Sequence, residues 1–170
     1  DHSVEQHVRH SNALHSVMRM RGSYHVGPLA RYNLNFEKLP ERAKQIAAEV
    51  GLLPPVHNPF KSITVRAIEL IFACEEALRL IGEYARPERP RVPVEVRAGT
   101  GMAATEAPRG LLYHRYAVDE QGLIQTARIV PPTAQNLKRM EDDLWSYVPQ
   151  LLKLGNEEIA WKAEQAVRNY

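Results

Sequence analysis

Between Ser62 and Tyr84 the apolar residues Ile63, Ala67, Leu70, Ile71, Cys74, Ala77, Leu78 and Ile81 recur at intervals of three and four. That period gathers them on one stripe of a helix of about 22 residues. Upstream, Val4, Val8, Leu14, Val17 and Met18 keep a mostly helical spacing and Gly22 stands where a helix would stop, so Asp1–Arg21 is also expected to be a helix. Ser23 to Leu39 carries Gly27-Pro28 and turn-favouring residues and reads as a loop or a short helical turn. Pro40 then opens, and Gly51 closes, a short helix. Leu52 to Pro59 is a proline-rich connector. Leu137, Met140, Leu144, Val148 and Leu151 predict a helix over Thr133–Leu154 with a kink at Pro149, and Asn156 is placed to cap a last helix from Glu157.

Two segments have strand character. Leu111–Val118 and Leu123–Val130 flank Asp119-Glu120-Gln121-Gly122, a hairpin signal that Pro131-Pro132 terminates. Pro87, Pro90 and Pro93, interspersed with charge, suit an extended and semi-rigid crossing segment. The expected class is mainly α (α+β): a helical bundle with one antiparallel β-hairpin, in one domain. Its parts are a helical region (1–86), an extended segment and loop (87–110), the hairpin (111–130) and C-terminal helices (131–170).

Composition narrows the class further. The 170 residues are 44% apolar and 25% charged with a net charge of +2, which is ordinary globular composition. Cys74 is the one cysteine, so the chain has no internal disulfide and no Cys-x-x-Cys metal site, as in a reducing compartment. Its place on the apolar stripe predicts a buried thiol. The longest apolar run, Leu70–Cys74, is far short of the roughly 20 residues a membrane span needs. The absence of an initial methionine and of a helix stop signal after 157–168 reads as a piece of a longer protein. The 16 arginines and 6 lysines are interleaved with acids and form no stripe, which argues against a nucleic-acid surface. The excess of arginine points to planar ion pairs at buried interfaces.

Two stretches carry candidate chemistry. His2, His7, His10 and His15 cluster near the start, with His7 and His10 spaced to share a helix face. No acid completes a ligand spacing such as H-E-x-x-H, so they read as hydrogen-bonded polar residues at a subunit surface. Ser11, His15 and Ser16 likewise lack an acid at nucleophile-elbow spacing, which argues against a hydrolase. The second stretch, Gly99 to Gly110, is small and uncharged for seven residues and then presents Glu106, Pro108 and Arg109. Small residues permit close backbone approach, and a guanidinium beside a proline is a preorganised donor that keeps its proton. The plainer alternative is a loop arginine paired with Glu106 or another acid.

Glu106-Ala107-Pro108-Arg109-Gly110-Leu111-Leu112-Tyr113-His114, followed after a hairpin by Ile129-Val130-Pro131-Pro132-Thr133-Ala134-Gln135-Asn136, resembles the E-A-P-R-G-x-L-x-H and V-P-x-T-x-x-N blocks of nickel-iron hydrogenase large subunits. His10-Ser11-Asn12-Ala13-Leu14-His15 and Tyr24 to Asn33 are similar to the cytoplasmic group linked to NAD(P) or deazaflavin, including sulfhydrogenases. The resemblance implies the large-subunit fold and a parent enzyme interconverting dihydrogen with protons and electrons. It further implies a NiFe(CN)2CO cluster held by two Cys-x-x-Cys motifs outside this sequence, an iron-sulfur small subunit and a nicotinamide- or deazaflavin-linked diaphorase module. Arg168-Asn169-Tyr170 resembles the residues just before the second of those motifs.

By the same resemblance Arg109 is the arginine over the open metal position, where a fixed cation would favour an electron-rich cluster and polarise dihydrogen for heterolysis. Pro108 is its neighbour packed against a diatomic ligand, with Glu106 completing the block. Pro132 stands where many relatives have a hydroxyl donor to cyanide, and Thr133 follows it. The backbone carbonyl near Arg128 corresponds to a ligand of a magnesium or iron ion. The isolated chain, without nickel thiolates, is expected to be inactive, to hold no cluster and to self-associate. The contrasting reading is a scaffold subunit of the same fold in a complex I-like assembly, which gives the intact E-A-P-R-G block no task.

Overall fold

The computed structural model describes residues 3–170, so Asp1 and His2 lie outside the described residues. In chain order the elements are β1 (Ser3–Gln6), β2 (His15–Met18), α1 (Pro28–Asn35), α2 (Glu41–Glu49), α3 (Ser62–Glu83), β3 (Gly99–Ala107), β4 (Gly110–Val118), β5 (Ile124–Val130), α4 (Pro132–Leu151) and α5 (Asn156–Val167). Short 3-10 turns follow α1 and precede α3. The class is α+β, with one antiparallel sheet of order β3-β4-β5 and a separate antiparallel pair, β1-β2.

The core lies between α1, α2 and α3, where Leu29, Tyr32, Ala43, Ala47, Leu52, Val56, Val65 and Ile68 are buried. Two of its polar side chains tie the core to the backbone of the connector. The Tyr32 hydroxyl donates to the Leu52 carbonyl at 2.6 Å, and Asn33 exchanges two hydrogen bonds of 2.8 Å with the Val56 backbone. These bonds fix the proline-rich connector over the helices and meet the rule that buried polar atoms must find partners.

Four sequence expectations are corrected. The helix expected over Asp1–Arg21 is a hairpin: Val4 lies opposite Val17, and Met18 and Gly22 bond to each other around a turn in which Gly22 has φ 75°. A few apolar residues in a short segment fit either period, and here β2 is recruited by packing against α4. The stretch expected to be a loop or a short turn contains the two-turn helix α1, which Pro28 opens at its first position. The loop expected before the hairpin is strand β3 from Gly99 onward, so one hairpin becomes a three-stranded sheet; residues 87–98 remain irregular. On α3 the buried positions are Ser62, Val65 and Ile68, whereas Leu70, Leu78 and Ile81 are 67 to 72% exposed and Cys74 is exposed too.

Other boundaries follow the sequence closely. α2 lies between Pro40 and Gly51, whose φ of 64° suits a glycine after a helix end. The Asp119 carboxylate accepts from the Gln121 and Leu123 amides at 3.0 and 2.8 Å and shapes the β4–β5 turn. α4 runs through Pro149 and ends two residues later, and Gly155 takes the cap position expected of Asn156.

Candidate functional site

Pro108 and Arg109 form the two-residue turn between β3 and β4, closed by the facing pair Ala107 and Gly110. Gly110, at φ 130°, supplies a conformation that L side chains rarely adopt. The turn presses on the start of α1. A Cβ on Gly27 would sit 2.6 Å from the Arg109 carbonyl oxygen, and one on Gly110 would sit 2.7 Å from the Gly27 nitrogen. Both glycines are therefore required by close backbone approach, which a sequence pattern shows only as Gly27-Pro28 and Arg109-Gly110.

Arg31, one turn into α1, clamps the other side. Its Nε and one terminal nitrogen donate to the two oxygens of Glu69 on α3 at 2.5 and 2.9 Å. The remaining donor positions reach Glu106 Oε1 at 2.8 Å, the Ala107 carbonyl at 2.9 Å and the Pro108 carbonyl at 2.8 Å. One planar fork thus ties α1, α3, the end of β3 and the turn together, as guanidinium geometry allows and an ammonium would not. Hydrogen bonding to Glu69 is the largest influence holding the Arg31 proton on, burial opposes it, and Glu106 adds to it. A cavity of about 520 Å3 opens beside this clamp, walled in part by Tyr32, Leu39, Phe72 and Pro108.

The N-terminal turn of α4 completes the frame. Asn136 accepts from the Val26 amide at 2.8 Å and donates to the Val26 carbonyl at 2.9 Å. Gln135 donates to the Leu111 carbonyl at 2.5 Å. Both side chains are buried. Through them α4 holds the strand leaving the Arg109 turn and the chain entering α1.

The placement of the expected site residues follows from this frame. Glu106 pairs with Arg31 and not with Arg109. Arg109 is exposed and makes no ion pair among the described residues, so the alternative of an Arg109–Glu106 pair is not what the structure contains. Pro132 is buried at the first position of α4, and Thr133 beside it is exposed. Arg128 lies within β5 opposite Arg115, and its side chain is 3.6 Å from Glu5. The reasoning from sequence missed Arg31, Gln135, Asn136, Gly27 and Glu69. Gln135 and Asn136 are the last two residues of the V-P-P-T-A-Q-N block, whereas nothing local marks Arg31 or Glu69, whose partners lie 38 to 77 positions away.

The four-histidine segment also changes character. His10 Nε2 lies 2.6 Å from Glu141 Oε1, and His15 Nδ1 lies 3.5 Å from Glu141 Oε2 without a hydrogen bond. The histidines read as satisfied surface groups therefore include one, His15, that is 1% exposed and unsatisfied, and the missing acid comes from α4. Farther along α4, Asp143 is engaged by Arg139 and by the Tyr170 hydroxyl, and the Tyr170 ring lies 5.0 Å from that of His25. Burial, foremost, and the Asp143 carboxylate hold the Tyr170 proton on well above the ordinary tyrosine range.

The chain is similar in sequence and fold to a defined class of enzyme subunits. The chain is 34% identical over its whole length to the sulfhydrogenase 1 alpha subunit of Pyrococcus furiosus, covering 40% of that protein. It is 34% identical over 72% of its length to the beta subunit of the NAD-reducing hydrogenase HoxS of Cupriavidus necator, covering 26% of that protein. Its fold matches an NAD+-reducing NiFe hydrogenase crystallised in the H2-reduced state with a TM-score of 0.79 and 24% identity, over 99% of this chain and 39% of that one. No family model matches. The homologues of the chain are thus hydrogenase subunits, and the chain spans about 40% or less of their length.

Proposed function

We propose that this chain forms part of a nickel-iron hydrogenase large subunit whose parent enzyme interconverts dihydrogen with two protons and two electrons. The observation that carries the reading is the Pro108–Arg109 turn: it is fixed by Arg31, Gly27 and the α4 amides, and it presents a guanidinium that no acid of the described chain neutralises. The scaffold reading gives that construction no task, and the similarity to catalytic hydrogenase subunits favours the enzyme.

The donors present fit the surroundings of a nickel-iron centre and not its ligation. Cys74 is exposed on α3 and stands alone, so the thiolates come from outside this sequence. When bound, such a centre supplies the change of redox state and an open coordination position. Arg109 supplies a cation that cannot lose its proton, which stabilises negative charge developing nearby and polarises dihydrogen toward unequal cleavage. Engaging Glu106 elsewhere keeps that charge uncancelled. Pro108 gives the turn an apolar wall, and Thr133, at the start of α4, would offer its hydroxyl to a cyanide ligand of the centre. The Arg128 carbonyl would join the ligand set of a magnesium or iron ion.

Among the described residues no helix is long and apolar enough to cross a membrane. The kinds of relatives found support a cytoplasmic enzyme whose large subunit docks on an iron-sulfur small subunit and passes electrons to a nicotinamide- or deazaflavin-linked module.

The test is Arg109→Lys in the parent enzyme. Lysine keeps the charge but loses the planar fork and can deprotonate when desolvated. Dihydrogen oxidation is expected to fall about 100- to 1,000-fold, roughly 3 to 4 kcal/mol, with nickel content and diatomic-ligand infrared bands retained. Near-normal turnover with a full metal complement would remove Arg109 from the chemistry.

A further inference from the structure

We propose that His10, His15 and Glu141 form a binding site for one zinc-class divalent transition-metal ion, which fastens the β1–β2 hairpin to α4. The site is separate from the Arg109 turn and does not depend on the hydrogenase reading.

The three residues come from three places. His10 lies on the β1–β2 connection, His15 is the first residue of β2, and Glu141 lies in the middle of α4, 131 positions from His10. One ligand atom from each lies within 4.8 Å of the others. In a tetrahedron with bonds of about 2.0 to 2.2 Å to nitrogen and oxygen the donors stand roughly 3.3 to 3.6 Å apart, so closing the site takes a shift of roughly 1 to 1.5 Å. His10, with a side chain 66% exposed, is free to make it.

The second observation is the His15 ring. It is 1% exposed, and its Nδ1 lies 3.5 Å from a Glu141 oxygen without a bond to any group. Buried ring nitrogens are ordinarily paired, and an orphaned one calls for a missing partner such as an ion. A cation between His15 Nδ1 and Glu141 Oε2 would satisfy the nitrogen and the carboxylate together. It would also take the place of the proton now held between His10 Nε2 and Glu141 Oε1. The two imidazoles already stand edge to face, with centroids 5.9 Å apart and planes at 79°, so their ring edges converge without stacking.

Donor chemistry selects the ion class. Two imidazole nitrogens and one carboxylate suit zinc and its neighbours, whereas magnesium and calcium favour oxygen throughout. Three protein ligands leave a fourth position. A cavity of about 600 Å3 borders His10 and Glu141, with Leu144, Trp145, Val148 and Leu152 on its wall, and a water molecule entering from it would complete a tetrahedron. The apolar wall limits competing hydration of the ligands.

The experiment uses the purified full-length protein, stripped with chelator, equilibrated with zinc chloride and desalted, and compares wild type with His10→Ala and Glu141→Gln by elemental mass spectrometry. Because His10 is exposed, its replacement leaves the packed β2–α4 contact in place, and circular dichroism checks the fold of each variant. Wild type is expected to retain one zinc more per chain than either variant, with magnesium failing to compete. Zinc affinity should fall on the order of 100-fold or more for loss of a ligand. X-ray absorption at the zinc edge should show two imidazoles. Equal zinc in wild type and folded His10→Ala, whether none or adventitious, would overturn the proposal. So would displacement by magnesium. Neither outcome bears on the Arg109 reading, whose test is turnover.

Discussion

The turn end of the molecule and the outer half of α3 are built in opposite ways. Around Pro108–Arg109 the carbonyls of Val26, Ala107, Pro108 and Leu111 all accept from named side chains, and two glycines are pressed against backbone. Toward the end of α3 and just past it, Leu78, Leu80, Ile81 and Tyr84 are 53 to 73% exposed among the described residues. The first region is finished within these 170 residues. The second has an apolar face whose extent exceeds what scattered surface residues show, which marks it for burial against other protein. A chain covering 40% of its sulfhydrogenase relative would be expected to look this way. Hydrogen bonding is thus concentrated where a cation is presented, and exposed apolar surface on the outer half of α3.

The contrast can be broken most forcefully at Arg31. Arg31→Ala removes five hydrogen bonds and leaves Glu69 without its bidentate partner, so chemical denaturation of the chain should show a loss of about 3 kcal/mol. Asn136→Ala orphans both the N–H and the C=O of Val26 and should cost about 2 kcal/mol by the same measurement. Gly27→Ala combines a φ of 113° with a 2.6 Å collision and should cost a comparable amount. On the open face, Leu78→Ser and Ile81→Ser should change monomer stability by less than about 0.5 kcal/mol. Sedimentation of the 170-residue chain should nevertheless shift from self-associated species toward monomer.

The smallest effect concerns pH. Burial is the chief cause lowering the His25 pKa below 6.5, with Arg139 and Arg66 acting in the same direction and Asp143 opposing them. Below pH 6.5 the unfolded chain therefore binds a proton that the folded chain resists, and stability falls as pH drops through that value toward the lowered folded pKa. Above pH 6.5 His25 contributes no slope. In His25→Gln this part of the pH dependence of the denaturation midpoint should disappear.

The two regions also differed in how much the sequence revealed. The Glu106–Gly110 and Val130–Asn136 blocks marked the segments that hold Arg109 and the start of α4, but not that Pro108 and Arg109 form a turn between two strands. The helix signals of α2, α3 and α4 were legible, since long periodic segments carry their own evidence of period. Arg31 and Glu69 were not, because their meaning lies in contacts across 38 or more positions. The Cys74 thiol on the α3 stripe was expected to be buried and is exposed, because burial depends on what covers a face and not on the period of the face itself. The early hairpin was missed because four-residue strands leave too few positions to separate a period of two from one of 3.6.

On the proposed function, Arg31 works through Arg109, as a positioning residue behind a group that would touch the reacting atoms. This role is tested most directly by turnover of the parent enzyme in a double-mutant cycle, comparing Arg31→Lys, Arg109→Lys and the double variant with wild type at matched nickel content. If Arg31 acts only by holding the turn, the double variant should lose little more dihydrogen oxidation than Arg109→Lys alone, and the coupling should be a large share of the roughly 3 to 4 kcal/mol assigned to Arg109. Losses that simply multiply, with coupling below about 0.5 kcal/mol, would show the two arginines acting independently and would contradict the account.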